Sequence, residues 1–322
     1  MPTNPKRAGA LAAHSVTRFV FTVPDLDEAE RFYQAFGLDV RKVGDHLDLH
    51  TFGHPHCWGQ VYANGKPKQL CYLSIGVYAE DLQPLRAAIA AKGIKEVVAH
   101  PLGSQDGFWL RDPEGIHVQV LVADKVTPNE RAPAKGFFMK DNPIGVPIGP
   151  MRMDTSPVRP VRLSHILMFT SDVNRSLGFY CEALGLKLSD RSGDGIAFTH
   201  GAHTSDHHLL AFVKSDGPGL HHTSWTVHHF DEVGLGMEQM RAAGYEAGWG
   251  VGRHVIGSNC FYYARDPWGS FAEFSYDIDF IDATTDWPAQ DYPAEDSFYL
   301  WGPTPPDFFV INHETAARAA AT

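Results

Sequence analysis

Apolar and polar positions follow the same order twice along the chain. The segment "TRFVFTVPDLDEAERFYQAFGLDV", from Thr17, reads as a strand followed by a helix. Asp25 suits an N-cap, Leu26, Ala29, Phe32, Tyr33 and Phe36 recur at helical spacing, and Gly37 ends the run. The segment "SHILMFTSDVNRSLGFYCEALGLKL", from Ser164, repeats this 147 residues later, with Val173, Leu177, Tyr180, Leu184 and Gly185 in the matching places. Downstream, "LCYLSIGV" from Leu70 parallels "LHHTSWTV" from Leu220, and "FWLRDPEGIHVQV" parallels "FYYARDPWGSFAEF". Each "RDPxG" predicts a turn between two strands. The pattern predicts an α+β protein of two βαβββ-type modules.

The predicted division is a flexible N-terminus over 1–13, a first module over 14–125, a linker over 126–160, a second module over 161–277 and a tail over 278–322. Residues 126–160 hold seven prolines and three glycines, a composition suited to a linker. The tail carries Trp287, Tyr292, Phe298, Tyr299, Trp301, Phe308 and Phe309. Such a segment is too apolar to hang free and is expected to pack near the mouth of the second module or on a neighbouring subunit.

One copy shows what the fold requires, and the other what has been added to it. At equivalent strand positions the first copy has Arg18, Tyr72 and Gln119, where the second has His165, one or both of His221 and His222, and Glu273. Glu273 shares its strand face with Phe271 and Ser275, and a carboxylate aimed into a barrel needs a partner. A single buried histidine is more often a hydrogen-bonded core residue than a ligand, but three matched replacements reverse that balance. Two imidazoles and one carboxylate suit Fe(II) or Mn(II) with coordination positions left open, and zinc fits the ligand types as well. Two other histidine clusters read differently. The "GHPHCWG" run at 53–59 looks metal-like but is expected to be a loop of the first copy, and "VHHFDE" at 227–232 opens a helix with solvated histidines.

Composition narrows the classes. A formal charge of −11 offers no electrostatic footprint for nucleic acid, and no apolar run approaches the roughly 20 residues of a membrane span. Cys57, Cys71, Cys181 and Cys260 show no close pairing, which predicts reduced thiols and a cytoplasmic protein. Of eighteen histidines, eleven lie after residue 160, in the copy that carries the candidate ligands.

The stretch "GRHVIGSNCFYYARDPWGSFAE", residues 252–273, resembles the signature of the type I extradiol ring-cleaving dioxygenases of the vicinal oxygen chelate superfamily, and the likeness extends over residues 14 to about 300. The resemblance implies two tandem modules, each of paired βαβββ units forming an open barrel. It implies His165, His222 and Glu273 as metal ligands, with Fe(II) as cofactor and Mn(II) as the alternative. It further implies His208, in "DHHLLAF", as the acid that protonates bound oxygen during ring opening, with His254 and Tyr263 holding a catecholate. The expected reaction is extradiol (meta) cleavage of a catecholic small molecule by O2 to a 2-hydroxymuconic semialdehyde-type product, in the degradation of aromatic compounds. Trp249 and Arg253 are the candidate substrate contacts. Because the tail has no cation between Ile281 and Pro306, a neutral substituted catechol is favoured. The expected assembly is a homo-oligomer. Two alternatives are a glyoxalase-like isomerase or lyase, disfavoured by Arg18, Tyr72 and Gln119, and a protein that only sequesters an aromatic ligand.

Overall fold

The computed structural model describes residues 5–132, 145 and 149–315, so parts of the predicted N-terminus, linker and tail lie outside it. The first module runs β1 (Ser15–Val23), α1 (Leu26–Ala35), β2 (Asp39–Val43), β3 (His46–His50) and β4 (Gly59–Ala63), then β5 (Gln69–Val77), α2 (Leu82–Ala91), β6 (Phe108–Arg111) and β7 (His117–Val122). The second runs β8 (Arg162–Thr170), α3 (Val173–Leu184), β9 (Lys187–Ser192), β10 (Ile196–His200), β11 (Ser205–Asp206) and β12 (Leu210–Lys214). Its second half is β13 (Gly219–Thr226), α4 (Phe230–Ala242), β14 (Gly248–Arg253), β15 (Cys260–Arg265) and β16 (Phe271–Tyr276). The short strands β17 (Phe280–Ile281) and β18 (Gln290–Asp291) follow in the tail.

Local chemistry sets these boundaries. Asp25 caps α1 by accepting from the Asp27 and Glu28 amides, Asp172 caps α3 through the Arg175 amide, and Gly185 ends α3 in the left-handed region. Each module forms one large sheet, ordered β2-β3-β4-β1-β5-β7-β6 and β14-β15-β16-β13-β8-β12-β10-β9-β18, and β11 pairs with β17 in a separate two-stranded sheet. The central pairs β1–β5 and β8–β13 are antiparallel, and each central strand pairs in parallel with the last strand of its own unit. The paired βαβββ plan is therefore present with one departure. Among the described residues the first module has no counterpart of β14; there a backbone bond from the Val97 amide to the Trp109 carbonyl stands beside β6.

Both central pairs are bulged at matching places. Register shifts fall between Val16 and Arg18 and between Val20 and Phe21 in the first module. In the second, Leu220 pairs with Met168 and His222 with Leu167, which leaves His221 as an extra residue; Ser164 is the extra residue opposite the Ser224/Trp225 step.

One apolar core runs through both modules. Phe36 stacks on Phe274 at 4.0 Å between centroids, and Phe19 meets Trp225 edge-on at 6.2 Å. Polar ties cross the same boundary. The two "RDPxG" aspartates each hold their turn through backbone amides and reach the other module: Asp112 accepts from the Tyr180 hydroxyl at 3.1 Å, and Asp266 pairs with the buried Lys68 ammonium. Glu314, in the tail and 4% exposed, accepts the Leu70 amide at 2.9 Å and the Leu220 amide at 2.8 Å, the equivalent residues of the two copies. Among the described residues, no helix is long and apolar enough to cross a membrane.

Candidate metal centre and active site

Three adjacent strands bring the repeat-derived residues together. On β13, Ser224 lies opposite both His165 of β8 and Glu273 of β16, so those two side chains flank it, and His222 sits two residues before it on the same strand. His165 Nε2 lies 3.3 Å and His222 Nε2 3.7 Å from Glu273 Oε2. One ligand atom from each of the three lies within 4.8 Å of the others, and all three residues are buried. Glu273 Oε1 accepts from Asn259 Nδ2 at 3.0 Å, whereas Glu273 Oε2 and His222 Nε2 have no hydrogen-bond partner among the described residues. Buried polar atoms are normally satisfied, and two orphaned acceptors facing each other fit a shared cation. The donor set therefore suits the metal that the sequence implies.

The surrounding bonds fix which nitrogen faces the centre. His221 Nε2 donates to the Phe309 carbonyl at 2.9 Å, and burial holds this imidazole down at about 4, so it is neutral with a free Nδ1 lone pair. That lone pair accepts from His222 Nδ1 at 2.8 Å, which leaves His222 Nε2 bare toward Glu273. Of the two, it is His222 that turns a bare nitrogen toward Glu273, although strand parity is not the reason. The bulge lets both imidazoles line the same cavity. Burial also pushes His222 well below the usual histidine range. For Glu273, burial acts upward, but the neighbouring His165 outweighs it and the carboxyl lies below its ordinary value.

His208 sits against His165, with ring centroids 3.9 Å apart. Behind it is a pair of residues the sequence did not single out: His208 Nδ1 meets His207 Nδ1 at 3.0 Å, and His207 Nε2 donates to Asp190 Oδ2 at 2.7 Å. In the neutral form of this chain His208 presents a bare Nε2 to the cavity. Burial, reinforced by the neighbouring histidines, pushes its pKa well below the usual value. Across the cavity, His254 Nδ1 donates to the Phe298 carbonyl at 2.8 Å and Nε2 lies 2.8 Å from the Tyr263 hydroxyl. Burial drives the Tyr263 phenol well above its usual range.

These groups open on a cavity of about 270 Å³, closed partly by the tail residues Ala294, Ser297, Phe298, Phe309 and Val310. Leu167, Ile196, Phe198, Val213 and Ile256 make its apolar wall, and among the described residues no lysine or arginine lines it. The two sequence-derived substrate contacts are not brought to this wall. Trp249 stacks on Tyr263 at 5.5 Å and donates Nε1–H to the Pro303 carbonyl, so it backs the tyrosine from behind. Arg253 is drawn away by Asp277, at 3.0 Å, and by Cys260. Of the residues not singled out, Asn259 lies within the quoted 252–273 stretch, where its place between His254 and Glu273 was the available signal. Asp190, on β9, offered none.

Residues 162–274 match the Glyoxalase/Bleomycin resistance protein/Dioxygenase superfamily. Over 303 residues the chain is 47% identical to Metapyrocatechase 2 of Cupriavidus necator, covering 94% of this chain and 93% of that one. The chain belongs to the extradiol ring-cleaving dioxygenases. Solved structures share the dioxygenase's fold. A Mn(II)-bound glyoxalase from Novosphingobium aromaticivorans superposes with a TM-score of 0.74 at 22% identity, covering 94% of this chain and 95% of that one. A catechol 2,3-dioxygenase superposes with a TM-score of 0.68 at 20% identity, covering 94% and 99%. At such identities the likeness concerns architecture, so the glyoxalase neighbour does not bear on chemistry.

Proposed function

We propose that this dioxygenase cleaves a neutral, alkyl- or aryl-substituted catechol at an extradiol (meta) bond, placing both atoms of O2 in a 2-hydroxymuconic semialdehyde-type product. Fe(II), or Mn(II) in its place, is held by His165, His222 and Glu273. The observation that carries the reading is the pair of orphaned buried atoms, His222 Nε2 and Glu273 Oε2, converging with His165 at the base of an apolar cavity. When bound, the metal supplies the charge that acidifies a catechol hydroxyl and an electronic path between catecholate and oxygen.

The chain's own residues do the rest. Tyr263, whose single O–H the neutral His254 Nε2 accepts in this structure, would turn that proton to a catecholate oxygen. His208 Nε2 is a base placed to take a proton from substrate and, once protonated, an acid placed to return it as the O–O bond breaks. The aliphatic wall receives the ring substituent and excludes water, and with no cation lining it among the described residues a carboxylate substituent would be left unpaired. The proposed division of labour makes residues 161–277 the catalytic module and the tail its cover. A homo-oligomer is supported by apolar side chains left exposed on the tail, Leu300 at 67%, Trp301 at 43% and Val310 at 62%. Sedimentation of the protein and of Leu300→Glu tests that assembly, and a monomeric parent protein would remove it. A cytoplasmic site of action fits the four free cysteines.

Anaerobic loading with Fe(II), followed by oxygen uptake on adding catechol, 3-methylcatechol or a carboxylate-bearing catechol, tests the reading. Expected are stoichiometric oxygen consumption with the neutral substrates and a much higher KM for the anionic one. Bound metal without oxygen uptake would leave an isomerase or a binding protein.

A further inference from the structure

The "GHPHCWG" run is left unused by this chemistry, and the fold turns it back onto β3. Asp48 and His50 share one face of that strand, and the ladder from Leu49 to Gly59, with the Trp58 amide donating to the Leu49 carbonyl at 2.8 Å, brings Cys57 beside them. One ligand atom from each of Asp48, His50 and Cys57 lies within 4.8 Å of the others. His50 is 6% exposed, and neither of its ring nitrogens has a hydrogen-bond partner among the described residues; Nδ1 is fully buried. Its Nε2 approaches Asp48 Oδ2 at 4.0 Å, too far for a hydrogen bond. That separation resembles the 3.7 Å between His222 and Glu273 at the catalytic triad. Two ligands on one tetrahedral ion, with bonds of about 2.0–2.3 Å, stand roughly 3.3–3.8 Å apart, so sub-ångström closure would bring this pair into range.

The donors are already oriented. Asp48 Oδ1 is held by Gln60 Nε2 at 2.9 Å and faces His46 Nε2 at 3.2 Å, which leaves Oδ2 for His50. Cys57 Sγ donates to the Gly59 carbonyl at 3.3 Å and also interacts with the Asp48 carboxylate. Asp48 and Cys57 are partly exposed, which gives an ion a way in. Burial, reinforced by Asp48, pushes the Cys57 thiol up to about 12 against the pull of the Arg18 guanidinium, so an ion bound here has to displace the thiol proton itself, and the Arg18 charge opposes a dication nearby.

We infer that Asp48, His50 and Cys57 form a second divalent-metal site of zinc type, in the module that lacks the catalytic triad. A thiolate, an imidazole and a carboxylate are the borderline-soft set that zinc favours over the oxygen-seeking ions, and the two anions balance its charge. Sulfur makes the site separable from the triad, which has none. Metal-free protein loaded with Co(II) should develop a thiolate-to-cobalt charge-transfer band in the near ultraviolet, lost in Cys57→Ser. Bound Zn(II) should fall from about two to about one equivalent per chain in that variant, with ring cleavage by the Fe(II)-loaded enzyme unchanged. Should Cys57→Ser fail to fold, His50→Gln, with its circular dichroism intact, must also lose the band. No band in the parent protein, a band surviving either substitution, or a single zinc equivalent at saturation would overturn the assignment.

Discussion

A carbonyl in the tail, that of Phe309, decides how two adjacent histidines divide their work. It accepts from His221 and thereby turns His222 Nε2 inward. His165→Ala, His222→Ala and Glu273→Ala are each expected to lose bound metal and activity with the fold retained, as elemental analysis beside circular dichroism would show. His221→Ala should keep the metal at an affinity lowered by about 10- to 100-fold, the usual cost of removing an outer partner. The reverse outcome would place His221 at the centre. Asp190 acts two groups back from the cavity, so Asp190→Asn should reduce turnover by about 10- to 100-fold while metal content stays full; a whole proton-transfer group contributes roughly 10²–10⁴-fold. His165, His222 and Glu273 were legible in the sequence because the first copy shows Arg18, Tyr72 and Gln119 in their places. Asp190 and His207 were not, because their roles arise only when β9 and the segment before β12 meet.

Strands and helices were legible from periodicity, and the bulges were not. Alternation predicts opposite faces for His221 and His222, yet the extra residue in β13 puts both on the cavity, and β5 carries the same irregularity at Cys71. A register shift leaves no mark in the apolar pattern, since each flanking half still alternates. Trp249 was misplaced for a related reason: its strand was legible, but not that Tyr263 would lie between it and the cavity. The tail contributes more than a cover. Phe298 and Phe309 supply carbonyl anchors for His254 and His221, so truncation after Asp279 should lower kcat as well as raise KM, with faster inactivation during turnover. A tail that merely covered the mouth would leave kcat intact in single-turnover measurements.

The first "RDPxG" turn carries a pH signature. Burial pushes the Asp112 carboxyl up to about 6, against its amide and Tyr180 bonds. A raised folded-state pKa means that the folded protein holds this proton more tightly than the unfolded chain. Its contribution to stability is then complete below the ordinary carboxylate value and lost as pH rises through about 6. About two pKa units correspond to roughly 3 kcal/mol. Asp112→Asn should therefore gain stability relative to the parent between about pH 4 and about pH 7, in urea unfolding at both. A constant difference between the two proteins would show that Asp112 does not titrate in this window.

At the scale of the whole molecule, two copies of one plan have merged into a single core, and the joint is polar as well as apolar. Lys68 with Asp266, Tyr180 with Asp112, and Glu314 with two strand amides lie across it. Glu314→Ala would orphan two buried amides at about 1–3 kcal/mol each and should lower Tm while metal content stays full. The repeat made two modules legible, but their mutual packing rests on pairings such as Lys68 with Asp266, 198 residues apart, that no local pattern announces.

Glu314 also sets an order of events in time. The Leu70 amide that it satisfies is made 244 residues earlier, which at about 5–20 residues per second is roughly 10–50 s of translation. Throughout that interval the first module stands on the ribosome with one end of its central strand unsealed, and the clasp that joins it to its sister copy arrives only as synthesis reaches the tail.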